Sequence, residues 1–140
     1  MDLPPDFAST LTMIQNRGVL DESPEKIQSR LALAVQTVAL QQGQRAVQDL
    51  GIGDWTLGVI EKLKTALHKE LCDPEKKTVR DNYKELLDKA SSPEGITAVG
   101  AVVLKVVAVI NPTFAVSSVV IFLSIWLLKR GLNHWCSLPA

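Results

Sequence analysis

Apolar residues along this chain follow two different patterns. Up to Glu94 they recur every three or four positions with charged residues between them, which is the period of helices that bury one face. Phe7, Leu11 and Ile14 form such a stripe in a short helix near Asp6–Asn16. Ile27, Leu31, Ala34, Val35 and Val38 form a second over about Pro24–Leu50, where Gly51 suits the C-cap. Val59, Ile60, Leu63, Leu67 and Leu71 mark a third helix over about Trp55–Cys72. Val79, Tyr83, Leu86, Leu87 and Ala90 mark a fourth over about Pro74–Ser91, opposite Lys76, Lys77, Arg80 and Lys84. No segment alternates with period two between hairpin turns, so the expected fold class is all-α: about four amphipathic helices followed by a C-terminal hydrophobic helical hairpin.

Local start signals agree with this division. Ser23-Pro24-Glu25, Asp73-Pro74-Glu75 and Ser92-Pro93-Glu94 each supply a capping oxygen, a proline suited to the first helical position and an acid for the positive end of the helix dipole. Asp54 follows Gly51-Ile52-Gly53 and predicts a further start.

From Ile96 to Leu128 the second pattern takes over. The stretch is apolar almost without relief, interrupted by Lys105, Asn111-Pro112-Thr113 and three serines. Asn111-Pro112 should interrupt it, because proline donates no N–H and restricts the residue before it. Two helices result, about 94–110 and 113–131, whose apolar portions reach roughly 24 Å against a hydrocarbon core of ~30 Å. On insertion scales the second is worth about −4 kcal/mol, while the first gains about −3 and loses about as much to Lys105. The second helix therefore inserts unaided and the first as its partner. Short spans are accommodated by membrane thinning or by self-association.

Charge changes the picture at the same boundary. Residues 1–94 carry fifteen acids against twelve Lys and Arg, a net −3, whereas residues 95–140 carry Lys105, Lys129 and Arg130 and no acid, a net +3. The expected organisation is a cytosolic helical domain over 1–94, a membrane-inserted hairpin over 95–131 and a short tail over 132–140. A hairpin sends its uncharged turn across the bilayer and keeps Lys129-Arg130 with the cytosolic domain, in keeping with the positive-inside rule. A single span would export both. The start, Met-Asp-Leu-Pro-Pro-Asp, has no basic region ahead of an apolar run, so no cleavable secretion signal is expected. A slightly acidic domain excludes nucleic acid as the expected partner.

Candidate functional residues fall into three groups. Ala98, Ala101, Lys105 and Ala108 share a 3-4-3 spacing, Phe114, Ser117, Ile121, Ser124 and Leu128 repeat it, and small residues and serines suit a close seam between helices in lipid. Lys105 at that seam would line an oligomer or meet its partner helix. Trp126, Lys129, Arg130 and Trp135 combine aromatic and basic side chains as interfacial anchors do. His68 and Cys72 lie one helical turn apart, and His134 and Cys136 follow the hairpin on its cytosolic side, which is the donor set of a Cys2His2 metal site at a spacing no zinc motif shares. Gly51-Ile52-Gly53 lacks a preceding strand and a third glycine, no Walker loop or G-x-S-x-G occurs, and the carboxylates are dispersed on solvent faces, so neither an enzyme nor a cofactor is expected.

The functional expectation is a small non-enzymatic membrane effector or pore former, self-associating, whose 1–94 domain controls a membrane-inserting hairpin. An adaptor that binds a protein partner through 1–94 is the rival. In a third arrangement the hairpin is the buried core of a helical module. A fourth combines them, since some toxins and apoptosis regulators sheathe a hydrophobic hairpin in amphipathic helices until a trigger frees it; the order of elements here permits that behaviour by architectural analogy.

Overall fold

The computed structural model describes residues 3–41, 52–72 and 93–130. Every element among the described residues is helical: α1 (Phe7–Asn16), α2 (Pro24–Gln41), α3 (Ile52–Cys72), α4 (Pro93–Ile110) and α5 (Ser117–Arg130), with short 3-10 turns at Val19–Asp21 and Pro112–Phe114. The expected helix over 74–91, the continuation of α2 to residue 50 and the 132–140 tail lie outside the described residues.

Several of these helices begin and end where local chemistry places them. Lys26 N–H donates to Ser23 Oγ at 3.3 Å, so Ser23 caps α2 and Pro24 occupies its first position. Gly18 adopts φ +73°, a left-handed conformation that glycine enters without strain, and it turns the chain after α1 so that Val19 enters the core. α3 begins at Ile52, three residues ahead of the expected start, and Gly53 lies inside the helix rather than in a turn.

α5 begins at Ser117, later than the expected 113. Asn111 is extended (φ −157°, ψ 96°), as the residue before a proline prefers, and its side chain accepts a hydrogen bond from Thr113 N–H at 3.2 Å. Beside it, Phe114 N–H donates to the Asn111 carbonyl at 3.0 Å and closes a 3-10 turn over Pro112–Phe114, in which Phe114 is fully buried. The apolar run is thus cut by a folded connection several residues long.

α5 is the centre of the arrangement. It packs against α2, α4 and α1, and ten of its fourteen residues are buried. α4 packs on α5 and α3, turning inward Ile96, Val99, Gly100, Val103, Leu104 and Val107, an i, i+3, i+4, i+7 stripe. The stripes of α1, α2 and α3 join the same hydrophobic cluster through Phe7, Leu11, Ile27, Leu31, Ile60 and Leu67, among others. Described helices from both sides of residue 94 therefore contribute to one core.

One polar group in that core stands out. Thr56 is buried on α3, and its hydroxyl has no hydrogen-bond partner among the described residues. A buried orphan hydroxyl costs about 1–3 kcal/mol. Thr56→Val keeps the shape and removes the orphan, so thermal unfolding should show a gain of about 1–2 kcal/mol.

Candidate functional site

The apolar pair α4–α5 and the side chains that hold its ends form the candidate site. The N-terminal end of α5 has no acid of its own in the first turn. Asp6, at the start of α1, supplies one: Ser117 Oγ donates to Asp6 Oδ1 at 2.5 Å. Asp6 makes no side-chain cap for α1 itself, and its backbone oxygen accepts from Thr10 N–H (2.9 Å) and Ser9 Oγ (3.0 Å) instead. A carboxylate beside the first turn of α5 also opposes the positive end of that helix dipole. Immediately beside this contact, the Phe7 ring covers Gly100 of α4. A Cβ on Gly100 would lie 3.0 Å and 3.2 Å from two Phe7 ring carbons and 3.6 Å from Ser124 Oγ. α1 is therefore fastened across the junction of α4 and α5 by one polar and one aromatic contact.

The other end of α5 is held by cations. Lys64 of α3 places its ammonium 4.1 Å from the centre of the Trp126 ring and donates to Gln28 Oε1 of α2 at 2.6 Å. The Arg130 guanidinium lies 5.6 Å from the same ring. Trp126 itself is buried. Burial pushes the Lys64 ammonium below its ordinary pKa, Glu61 opposes that shift and Arg130 adds to it. The ring face and the Gln28 oxygen offset part of what the ammonium loses by leaving water.

The expected seam residues are placed as follows. Ser117, Ile121 and Ser124 are buried on α5. On α4, Ala98, Ala101 and Ala108 are half-buried and Lys105 is exposed, while the fully packed face is the adjacent Ile96–Val107 stripe. Bulky Val, Ile and Leu fill the space between helices, and Gly100 provides the close approach that the alanines were expected to give. Ser124 Oγ donates to the Val120 carbonyl of its own helix at 2.7 Å, the nearest acceptor in an apolar setting. Of the interfacial group, Trp126 is buried, Lys129 half-buried and Arg130 exposed, and Trp135 lies outside the described residues. Of the metal set, His68 and Cys72 are half-buried on α3, while His134 and Cys136 lie outside the described residues. No group of three or more His, Cys, Asp and Glu that could hold a metal occurs among the described residues.

Sequence reasoning missed Asp6, Phe7, Gly100, Gln28 and Lys64 as site residues. For two of them a signal existed: Lys64 falls on the apolar stripe of α3 between Ile60 and Leu67, and Gly100 on that of α4 between Ile96 and Val103–Leu104. Asp6 and Gln28 act across the fold, through bonds that no spacing reveals.

A cleft of about 450 Å³ opens between α1, α2 and the start of α5, with Asp6, Arg30, Thr37 and Phe122 in its wall. Its charges are engaged, Asp6 by Ser117 and Arg30 by Glu22. The Arg30 guanidinium binds both Glu22 carboxylate oxygens; that hydrogen bonding, more than the bare charge, holds the Glu22 carboxyl below its ordinary value and raises Arg30 above its own. A carboxylate with a lowered folded pKa adds stability that is present above its unfolded value and lost as pH falls through the folded one. Acid titration of unfolding should therefore show a steeper loss for the wild type than for Glu22→Gln in the acidic range below pH ~4.5.

No protein-family model, curated protein or solved structure matches the chain.

Proposed function

We propose that this protein is a non-enzymatic membrane effector that keeps its apolar hairpin partly sheathed by amphipathic helices and delivers it to a bilayer, where copies self-associate. The observation that carries the reading is the uneven burial of the pair. α5, apolar on all sides, is enclosed by α1, α2 and α4, yet α4 is long and apolar enough to cross a membrane and only 39% of its eighteen residues are buried. A helix selected only as a protein core would turn few valines and isoleucines to water. Val109 is 83% exposed and Ile110 47%. On this reading the N-terminal domain stays cytosolic, and the Asp6–Ser117 and Phe7–Gly100 contacts restrain the hairpin in its stored form.

The enclosure of α5 alone favours a second reading, a helical interaction module with the pair as permanent core and a protein partner bound through 1–94. Alkaline carbonate extraction of membranes from cells expressing the full chain, beside a chain ending at Glu94, separates the two. The membrane reading predicts that the full chain stays in the pellet while the truncation is released. Release of both supports the module and removes the effector.

A further inference from the structure

Where the C-terminal end of α4 lies against the middle of α3, two shallow clefts of about 290 and 460 Å³ share Ile110, Ala66 and Lys69 in their walls. Val109 and Ile110 project here at the exposures given above, and Pro112 beside them is exposed too. Lys62, Lys69 and Lys105, all exposed, stand around this apolar knuckle. Glu61 and Glu70 also border it, so among the described residues the rim carries three positive charges against two negative. The α4 side carries no acid at all, because none occurs after Glu94.

We infer that this α3–α4 knuckle is the surface by which the folded protein docks on an anionic bilayer, before any helix leaves the core. The inference rests on the membrane reading above and specifies the part of the surface that acts first. Lipid is the occupant for three reasons. The knuckle terminates the one described helix whose length and composition suit a bilayer. Its apolar tip is two side chains, Val109 and Ile110, left open to solvent, which suits shallow burial among acyl chains. Lysines around an apolar tip can lay their stems along it and leave their ammonium groups among phosphates. Docking in this orientation presents the Asn111–Val116 connection to the bilayer first, so the uncharged turn leads and Lys129-Arg130 trails. The order of entry then differs from that expected from insertion energies alone, since α4 makes the first contact although α5 is the more favourable insert.

The test is co-sedimentation of the full chain with vesicles of pure phosphatidylcholine and of phosphatidylcholine mixed with phosphatidylglycerol. Val109→Glu and Ile110→Glu should each weaken binding about tenfold, and Lys69→Glu with Lys105→Glu should erase the preference for the anionic vesicles. Leu33→Glu, at a 62% exposed leucine on α2, should bind as the wild type does. Circular dichroism on each variant establishes that its helices are intact. If the wild type binds and the Val109 and Ile110 variants bind equally well, or Leu33→Glu is impaired as much as they are, the knuckle is overturned while the membrane reading stands. If the wild type binds neither vesicle, both fall.

Discussion

Ile125→Asp is expected to abolish the cooperative unfolding transition, while Val109→Asp leaves it in place. Both put a carboxylate into the apolar run, and their sequence surroundings are alike. Ile125 is fully buried in α5 between α2, α4 and α1, whereas Val109 is almost free of neighbours. An unpaired carboxylate in the interior costs several kcal/mol even after relaxation, and loss of the isoleucine contacts adds about 2–5. A domain of this size holds only about 5–15 kcal/mol in reserve. Urea titration followed by circular dichroism reads both variants. A wild-type transition in Ile125→Asp would show that α5 is not the core of the folded protein. In membranes a carboxylate at position 125, inside its helix, opposes insertion by about 3 kcal/mol, and one at position 109, at a helix end, by less.

Phe7→Ala carries the second large effect, a loss of about 3–5 kcal/mol, because Phe7 is the largest of the three side chains, with Leu11 and Ile14, that α1 buries in the core. The sign of a companion change tests the contact itself. In the wild type, Gly100→Ala places a methyl within 3.0 Å of the Phe7 ring and should destabilise. In a Phe7→Ala background the ring is gone, the methyl fills part of the cavity and alanine suits the helix better than glycine by about 1 kcal/mol, so the same change should stabilise. A destabilising Gly100→Ala in both backgrounds would contradict the placement of α1 over the α4–α5 junction. Phe7→Ala should also raise binding of a hydrophobic dye, as the junction opens to water.

Much of the helical outline can be read from residue order, because caps and stripes are local. Ser23-Pro24 begins α2, Phe7-Leu11-Ile14 defines the inner face of α1, and Asn111-Pro112 ends α4. The environment of the apolar run is not local, and it could not be read in the same way. An insertion scale asks only how Val119 to Leu128 would fare in hydrocarbon, and leucines and isoleucines on α1 and α2 supply much the same surroundings. Helical spacing also leaves open which stripe of α4 faces inward. Ala98-Ala101-Lys105-Ala108 and Ile96-Val99-Gly100-Val103-Val107 are both regular, and volume decides: the larger stripe fills the gap beside α5, and Lys105 is carried to the surface with it. Asp6 and Gln28 were out of reach for a related reason, since each bonds to a helix farther along the chain.

Trp126 reports most directly on whether the sheathed pair reaches lipid. With Trp55→Phe and Trp135→Phe, the emission of Trp126 alone is followed in buffer and then with anionic vesicles whose acyl chains carry bromine near the headgroup. The account predicts emission at short wavelength in buffer, from a ring already buried beside Lys64 and Arg130, and strong quenching by bromine once vesicles are present. Vesicle-bound protein whose Trp126 escapes the bromines would show that α5 stays in the protein core, and delivery of the hairpin to the bilayer would be contradicted.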